Sequence, residues 1–190
     1  MIVEKLVVGF LKTNCYIVYS PDNRGCAVID PGGESRRICA DLEKRGLTPD
    51  VILLTHAHAD HVRGLWHLYE KTGACVYVHA GELDARINIG PFRFVPPPKT
   101  QYVCEGSTIC AGSLRFSVLE CPGHTPGSVV YRCEDTLFTG DTLLHMGSGR
   151  VDYPCSSRED MIASLTRLRD LSGDYHICPG HGEETTLDDE

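Results

Sequence analysis

The stretch Thr55-His56-Ala57-His58-Ala59-Asp60-His61 constrains this chain more than any other, because it places four potential metal donors within six residues. It follows directly on Val51-Ile52-Leu53-Leu54, an apolar run suited to a strand buried on both faces. Side chains of extended backbone repeat every two residues, so His56 and His58 point the same way, and a turn after them can aim Asp60 and His61 at a neighbouring point. With 9 histidines among 190 residues, such a spacing arises by chance about once in a thousand chains of this kind. One strand end can therefore serve two adjacent ions, and the fold must bring further donors to it.

Three candidates stand later in the chain: His124 in Pro122-Gly123-His124-Thr125-Pro126-Gly127, Asp141 in Phe138-Thr139-Gly140-Asp141, and His181 in Pro179-Gly180-His181-Gly182. Each follows an apolar, strand-like segment and sits among glycines or prolines, in loops that fix a side chain beyond a sheet edge. One such residue alone would read as an ordinary turn residue. Three in matching contexts, beside the first motif, read as donors to a metal centre.

The rest of the chain supplies a frame. Strands are predicted over Ile2 to Phe10, Cys15 to Tyr19, Cys26 to Ile29, Val51 to Leu54, Ala74 to Val78, Leu114 to Leu119, Ser128 to Tyr131, Leu137 to Phe138 and Tyr175 to Cys178. Helices are predicted from Glu34 to about Arg45 and from Leu65 to Lys71, and a third begins at a capping-box-like Ser157-Arg158-Glu159-Asp160. The Pro-rich stretch Pro91 to Pro98 excludes regular structure. Strands in both halves interleaved with helices predict two packed sheets with helices outside, in one domain spanning 1–190.

Composition narrows the partners. The net charge of -8 disfavours a polyanion, so nucleic acid is not expected. No apolar run approaches the roughly 18 to 20 residues of a membrane span, and the first ten residues lack the pattern of a signal peptide. The ten cysteines include no Cys-x-x-Cys pair and read as small, reduced core residues, which points to a soluble cytoplasmic protein.

Taken together, Asn14-Cys15-Tyr16-Ile17-Val18, Val28-Ile29-Asp30-Pro31-Gly32-Gly33, the His56 to His61 motif, His124-Thr125-Pro126-Gly127, Gly140-Asp141, Gly147-Ser148-Gly149-Arg150 and Pro179-Gly180-His181-Gly182 resemble the metallo-β-lactamase-fold hydrolases, in their short glyoxalase II-like branch. The resemblance spans nearly the whole chain. It implies an αββα sandwich, an α/β fold of two mixed sheets with helices on the outer faces and the site at one edge. Carried over by position, His56, His58 and His124 would hold one divalent ion, Asp60, His61 and His181 a second, and Asp141 would bridge them. Zinc is the expected occupant, and imidazole with carboxylate also suits iron and manganese.

The activity this implies is hydrolysis of a thioester such as a hydroxyacylglutathione, by a hydroxide shared between the metals. A thiolate leaving group needs little protonation, so no dedicated general acid is required. From the family, Asp60 would orient the hydroxide or briefly accept its proton. Arg150 occupies a position where these enzymes carry a basic residue near the glutathione end, although a loop contact with Asp152 competes for it. His145, four residues after Asp141, is a second candidate for facing substrate. His67, Trp66 and His79 read as packing or surface residues.

Full-length glyoxalase II enzymes add a C-terminal helical domain with basic glutathione contacts. This sequence stops nine residues after His181, with five acids in its last eight residues, so no such domain is expected. The alternatives are a mononuclear iron persulfide dioxygenase, a hydrolase of lactones or other esters on the same fold, and a metal-bound binding module. A narrow-sense β-lactamase is disfavoured by the bridging Asp141, and a nuclease by the lack of a basic tract.

Overall fold

The computed structural model describes residues 1–87 and 92–190. Among these, twelve strands form two six-stranded sheets. The first sheet holds β1 (Ile2–Val8), β2 (Thr13–Tyr19), β3 (Gly25–Ile29), β4 (Thr48–Leu53), β5 (Cys75–His79) and β6 (Thr100–Val103), in that order. The second runs from β7 (Thr108–Ala111) through β8 (Leu114–Glu120), β9 (Val129–Cys133), β10 (Thr136–Gly140) and β11 (His176–Pro179) to β12 (Thr185–Thr186). Helices α1 (Ser35–Arg45), α2 (Ala59–Val62) and α3 (Leu65–Thr72) join strands of the first sheet, and α4 (Arg158–Arg169) joins β10 to β11.

The alternation of side chains along each strand builds three apolar layers. Tyr16, Val18, Ala27, Ile29, Val51 and Leu53 turn inward to meet Phe116, Val118, Tyr131 and Phe138 from the other sheet. Their sequence neighbours Cys15, Ile17, Val28, Ile52 and Leu54 turn outward and pack under Ile38 and Leu42 of α1 and Leu65 and Leu68 of α3. On the far side, Leu119, Val130, Leu137 and Ile177 pack against Leu168 of α4. The order helix, sheet, sheet, helix is the expected αββα sandwich. Cys15, Cys26, Cys121, Cys133 and Cys178 are buried within it.

Strand direction positions the site. β3, β4, β5 and β6 are parallel, and so are β10 and β11. β8 runs the same way as β10, since both are antiparallel to β9. Their C-terminal ends share one edge of the sandwich, where the two sheets are tied together. Tyr16 Oη donates to the carbonyl of Pro179 at 2.8 Å, and Tyr131 Oη donates back to that of Leu54 at 3.0 Å. Asn14 adds its backbone N–H to the carbonyl of Gly180 at 2.7 Å.

The elements depart from the sequence-based boundaries in physical detail. The first strand ends at Val8 and not at Phe10, because Gly9 takes a φ of 71° and opens a turn that leaves Phe10 97% exposed. Glu34 caps α1 instead of starting it. Ser157 does cap α4, accepting from the Asp160 N–H at 3.2 Å, but its own N–H goes to the carbonyl of Gly123. β6, β7 and β12 were not anticipated. Of the Pro-rich stretch, residues 92–98 are irregular and Pro91 lies outside the described residues. No helix among the described residues is long and apolar enough to cross a membrane.

Tyr131→Phe leaves the buried Leu54 carbonyl without its side-chain donor and should lower the unfolding free energy by about 1 to 2 kcal/mol, whereas Tyr16→Phe should cost less, about 1 kcal/mol, because Asn14 Nδ2 still donates to the Pro179 carbonyl at 3.0 Å. Urea denaturation checks this, and unchanged midpoints would show that these bonds do not hold the sheets together.

Candidate metal centre

Every element of the centre sits just past a strand end. Asp30 follows β3 with a φ of 48°, a left-handed conformation that aspartate tolerates better than most residues. From there its Oδ1 accepts the Thr55 N–H at 2.8 Å, and its Oδ2 accepts the Thr55 hydroxyl at 2.6 Å and His61 Nδ1 at 2.9 Å. This folds the motif after β4 back over the edge, so that α2 brings Asp60 and His61 beside His56.

The structure brings all seven predicted donors together, six of them in two groups with Asp141 between. His56, His58 and His124 form one and Asp60, His61 and His181 the other, with the donor atoms of each within 4.8 Å of one another. In the first group the rings stand nearly perpendicular to each other, with centroids 4.6 to 4.9 Å apart. His58 Nδ1 and His124 Nε2 lie 2.8 Å apart. In the second, His61 Nε2 and His181 Nε2 are 3.2 Å apart, and Asp60 Oδ2 is 3.7 Å from the former and 3.2 Å from the latter. A tetrahedral shell with metal–ligand bonds of 2.0 to 2.1 Å has edges of about 3.3 Å, so this spacing suits a shared ion.

Asp141 lies between the groups. Its Oδ2 is 3.5 Å from His124 Nε2, and its Oδ1 is 3.4 Å from His61 Nε2 and 3.7 Å from His181 Nε2. Gly180 admits it: a Cβ there would collide with Asp141 Oδ1 and come within 2.7 Å of His61 Cε1.

The outer nitrogens are tied down. His61 Nδ1 faces Asp30, His124 Nδ1 the carbonyl of Arg150 at 2.8 Å, and His181 Nδ1 the carbonyl of Leu11 at 3.2 Å. The Thr55 hydroxyl proton goes to Asp30, so its oxygen is left to accept from His56 Nδ1 at 3.1 Å. Four imidazoles thus have Nδ1 held by an acceptor and Nε2 turned to the centre, the orientation that metal-ligating histidines require. His56 Nε2 and Asp141 Oδ1 are buried without a hydrogen-bond partner. Orphaned acceptors of this kind are costly unless something positive meets them, and the donor set fits a metal ion.

Charge is divided between the groups. Burial, reinforced by His124, lowers the His58 imidazole to about 4, and burial likewise lowers His56 and His124. Burial also opposes the charged forms of His61 and His181, but Asp141 and Asp30 beside the first, and Asp60 and Asp141 beside the second, raise both. Asp60 remains ionised, lowered to about 2, since the His181 hydrogen bond and the His61 charge outweigh its burial. One half presents neutral imidazoles, and the other holds protons where a cation would sit.

A cleft of about 870 Å³ opens over the centre, lined among others by Phe10, Leu11, Arg63, Arg150 and Tyr153. Its size is that of small-molecule sites. The Arg150 guanidinium reaches Asp152 at 2.7 and 2.9 Å and lies 4.8 Å over the Tyr153 ring, so both roles considered for it have a geometric basis. His145 is not among the residues lining this cleft: its Nδ1 pairs with Glu190 at 2.9 Å. His79 bonds Gly81 and Glu120, and Trp66 bonds the Val95 carbonyl.

Arg63, Thr55 and Glu82 were missed as site residues. Arg63 has no hydrogen-bond or ion-pair partner among the described residues. Its signal was its place two residues after the motif, at the turn out of α2.

Comparison with known proteins identifies the family. The family model of the metallo-beta-lactamase superfamily matches residues 8–181. The probable metallo-hydrolase YqgX of Bacillus subtilis is 35% identical over 97% of this chain and 92% of its own length. The hydroxyacylglutathione hydrolase GloC of Haemophilus influenzae is 32% identical over 100% and 95%. Among solved structures, the BLEG-1 B3 metallo-beta-lactamase superposes with a TM-score of 0.88, at 30% identity, over 99% of this chain and 95% of that one. TTHA1623 in a di-iron-bound form gives 0.86, at 34% identity, over 98% and 96%. ETHE1 from Myxococcus xanthus also gives 0.86, at 30% identity, over 99% and 80%. The chain belongs to the metallo-beta-lactamase superfamily.

Proposed function

We propose that this chain is a dinuclear metal-dependent hydrolase of thioesters, with a hydroxyacylglutathione-type substrate. The observation that carries the reading is Asp141, which turns one carboxylate oxygen toward each donor group. His56, His58 and His124 would hold one ion and Asp60, His61 and His181 the other. Divalent ions bound there would supply an activated water near neutral pH and polarisation of the scissile carbonyl. Zinc is the proposed occupant, and iron suits the same donors.

The chain's own residues do the rest. Asp60 stays ionised at the mouth of the cleft, with the Thr13 hydroxyl 3.4 Å from its Oδ2, and can orient the attacking water and receive its proton. A thiolate leaving group departs without needing a proton donor. Arg63, unpaired among the described residues, and Arg150, shared with Asp152, would meet the carboxylates of a glutathione moiety. The relative named hydroxyacylglutathione hydrolase supports this substrate class, because the similarity covers 95% of its length. A net charge of -8 fits a small-molecule substrate better than a polyanion, and a cytoplasmic setting is proposed with it.

Metal analysis of the purified protein should find two ions per chain, and S-lactoylglutathione should release thiol in a reaction abolished by chelation and restored by zinc. One iron per chain, with oxygen uptake on glutathione persulfide and no thiol release, would overturn the reading in favour of a persulfide dioxygenase. Asp141→Ala should lower kcat/KM by about a thousandfold or more, since the lost ion contributes several kcal/mol of transition-state stabilisation. Near-normal turnover would refute the bridging role. Arg63→Ala should raise KM for anionic thioesters about tenfold with little change in kcat. Arg150→Ala should raise KM less, because Asp152 already holds that guanidinium. The reverse order would show that Arg150 is the main anion contact.

A further inference from the structure

Glu82 is a buried carboxylate that neither the metal groups nor the proposed chemistry uses. It sits in the short turn after β5 and is 1% exposed. Its Oε2 accepts the Ala57 N–H at 2.5 Å, and its Oε1 accepts the Thr125 hydroxyl at 2.6 Å and the Gly127 N–H at 3.0 Å. Ala57 lies between His56 and His58, and Thr125 follows His124. One side chain from the first sheet thus binds the two segments, one from each sheet, that carry the three imidazoles.

The close fit indicates a built contact. A Cβ at residue 127 would come within 2.7 Å of Glu82 Oε1, so glycine lets that backbone N–H approach. All three partners donate, which suits an acceptor-only carboxylate. Burial pushes Glu82 up to about 7, and the three donors pull against that shift. Burying a carboxylate costs stability unless its bonds are complete, so its value lies in what it holds in place. The other metal group does not share this support. Asp30 orients His61, and the Leu11 carbonyl orients His181.

We propose that Glu82 is a positioning residue for the three-histidine half of the centre: it fixes the His56-Ala57-His58 segment against His124, and so sets metal affinity there without affecting the Asp60, His61 and His181 half. This rests on the metal reading given above.

The test isolates each half. His181→Ala leaves the three-histidine group intact, and His124→Ala leaves the other. Zinc affinity is measured in both parents by competition with a chromophoric chelator, before and after adding Glu82→Gln. The replacement keeps the side-chain volume but turns an amide N–H toward a donor. Zinc affinity should fall about tenfold in the His181→Ala parent, in the range seen for outer contacts of metal sites, and by less than about twofold in the His124→Ala parent. Equal weakening in both parents would show a merely structural role, and no weakening in either would show no role; both outcomes overturn the proposal. Parents that bind no zinc while Glu82 is intact would overturn the metal reading itself, and the proposal with it. If Glu82→Gln does not fold, Thr125→Val removes one of the three donors with little change of shape. It should then give a smaller loss of about threefold, confined to the His181→Ala parent, and loss in both parents or in neither overturns the proposal in the same way.

Discussion

The shared direction of the strands that lead to the site is the constraint on which the rest of the structure depends. Parallel β3, β4 and β5 end at the same edge as β8, β10 and β11, so Asp30, the motif from Thr55 to His61, Glu82, His124, Asp141 and His181 all leave the sheets within reach of one another. Ligand sites beyond the carboxyl ends of strands are the rule for sheets of this kind. Here two sheets each bring part of the donor set. The inner faces of Tyr16 and Tyr131 are core, while their hydroxyls lie under Pro179 and Leu54, the residues just before the His181 and His56 loops. The packing that stabilises the sandwich and the ties that align the site are made by the same side chains.

Much of this was legible because it was local. Val51 to Leu54 followed by His56, His58, Asp60 and His61 states a strand, its end and its donors within eleven residues. The glycine and proline settings of His124, Asp141 and His181 mark strand ends equally well. Asp30 and Glu82 carried no such mark as site residues. A single acid after a strand reads as a turn residue, and only the arrival of Thr55, or of Ala57 and Thr125, from a distant part of the chain gives it three donors to accept. β6 was unreadable for a related reason: Thr100, Gln101 and Tyr102 are not fully buried, so the edge strand lacks the apolar alternation that betrays inner ones.

The division of charge gives the centre its chemical character. Three imidazoles are kept neutral by burial, while three carboxylates, Asp30, Asp60 and Asp141, raise the other two histidines. The acceptors behind the rings differ accordingly: a threonine hydroxyl and a backbone carbonyl serve the neutral group, and a carboxylate serves His61. An anionic partner behind an imidazole makes it a stronger base. The two halves are therefore unequal toward any cation, even though their donor spacings are similar.

The hairpin between β1 and β2 serves the cleft and the donor groups together. The carbonyl that orients His181 belongs to Leu11, the neighbour of Phe10, whose ring stands 97% exposed at the mouth of the cleft. The turn that gives the cleft an apolar rim thus also supplies the acceptor behind one imidazole of the centre, so a change of length or sequence in that hairpin bears on both at once.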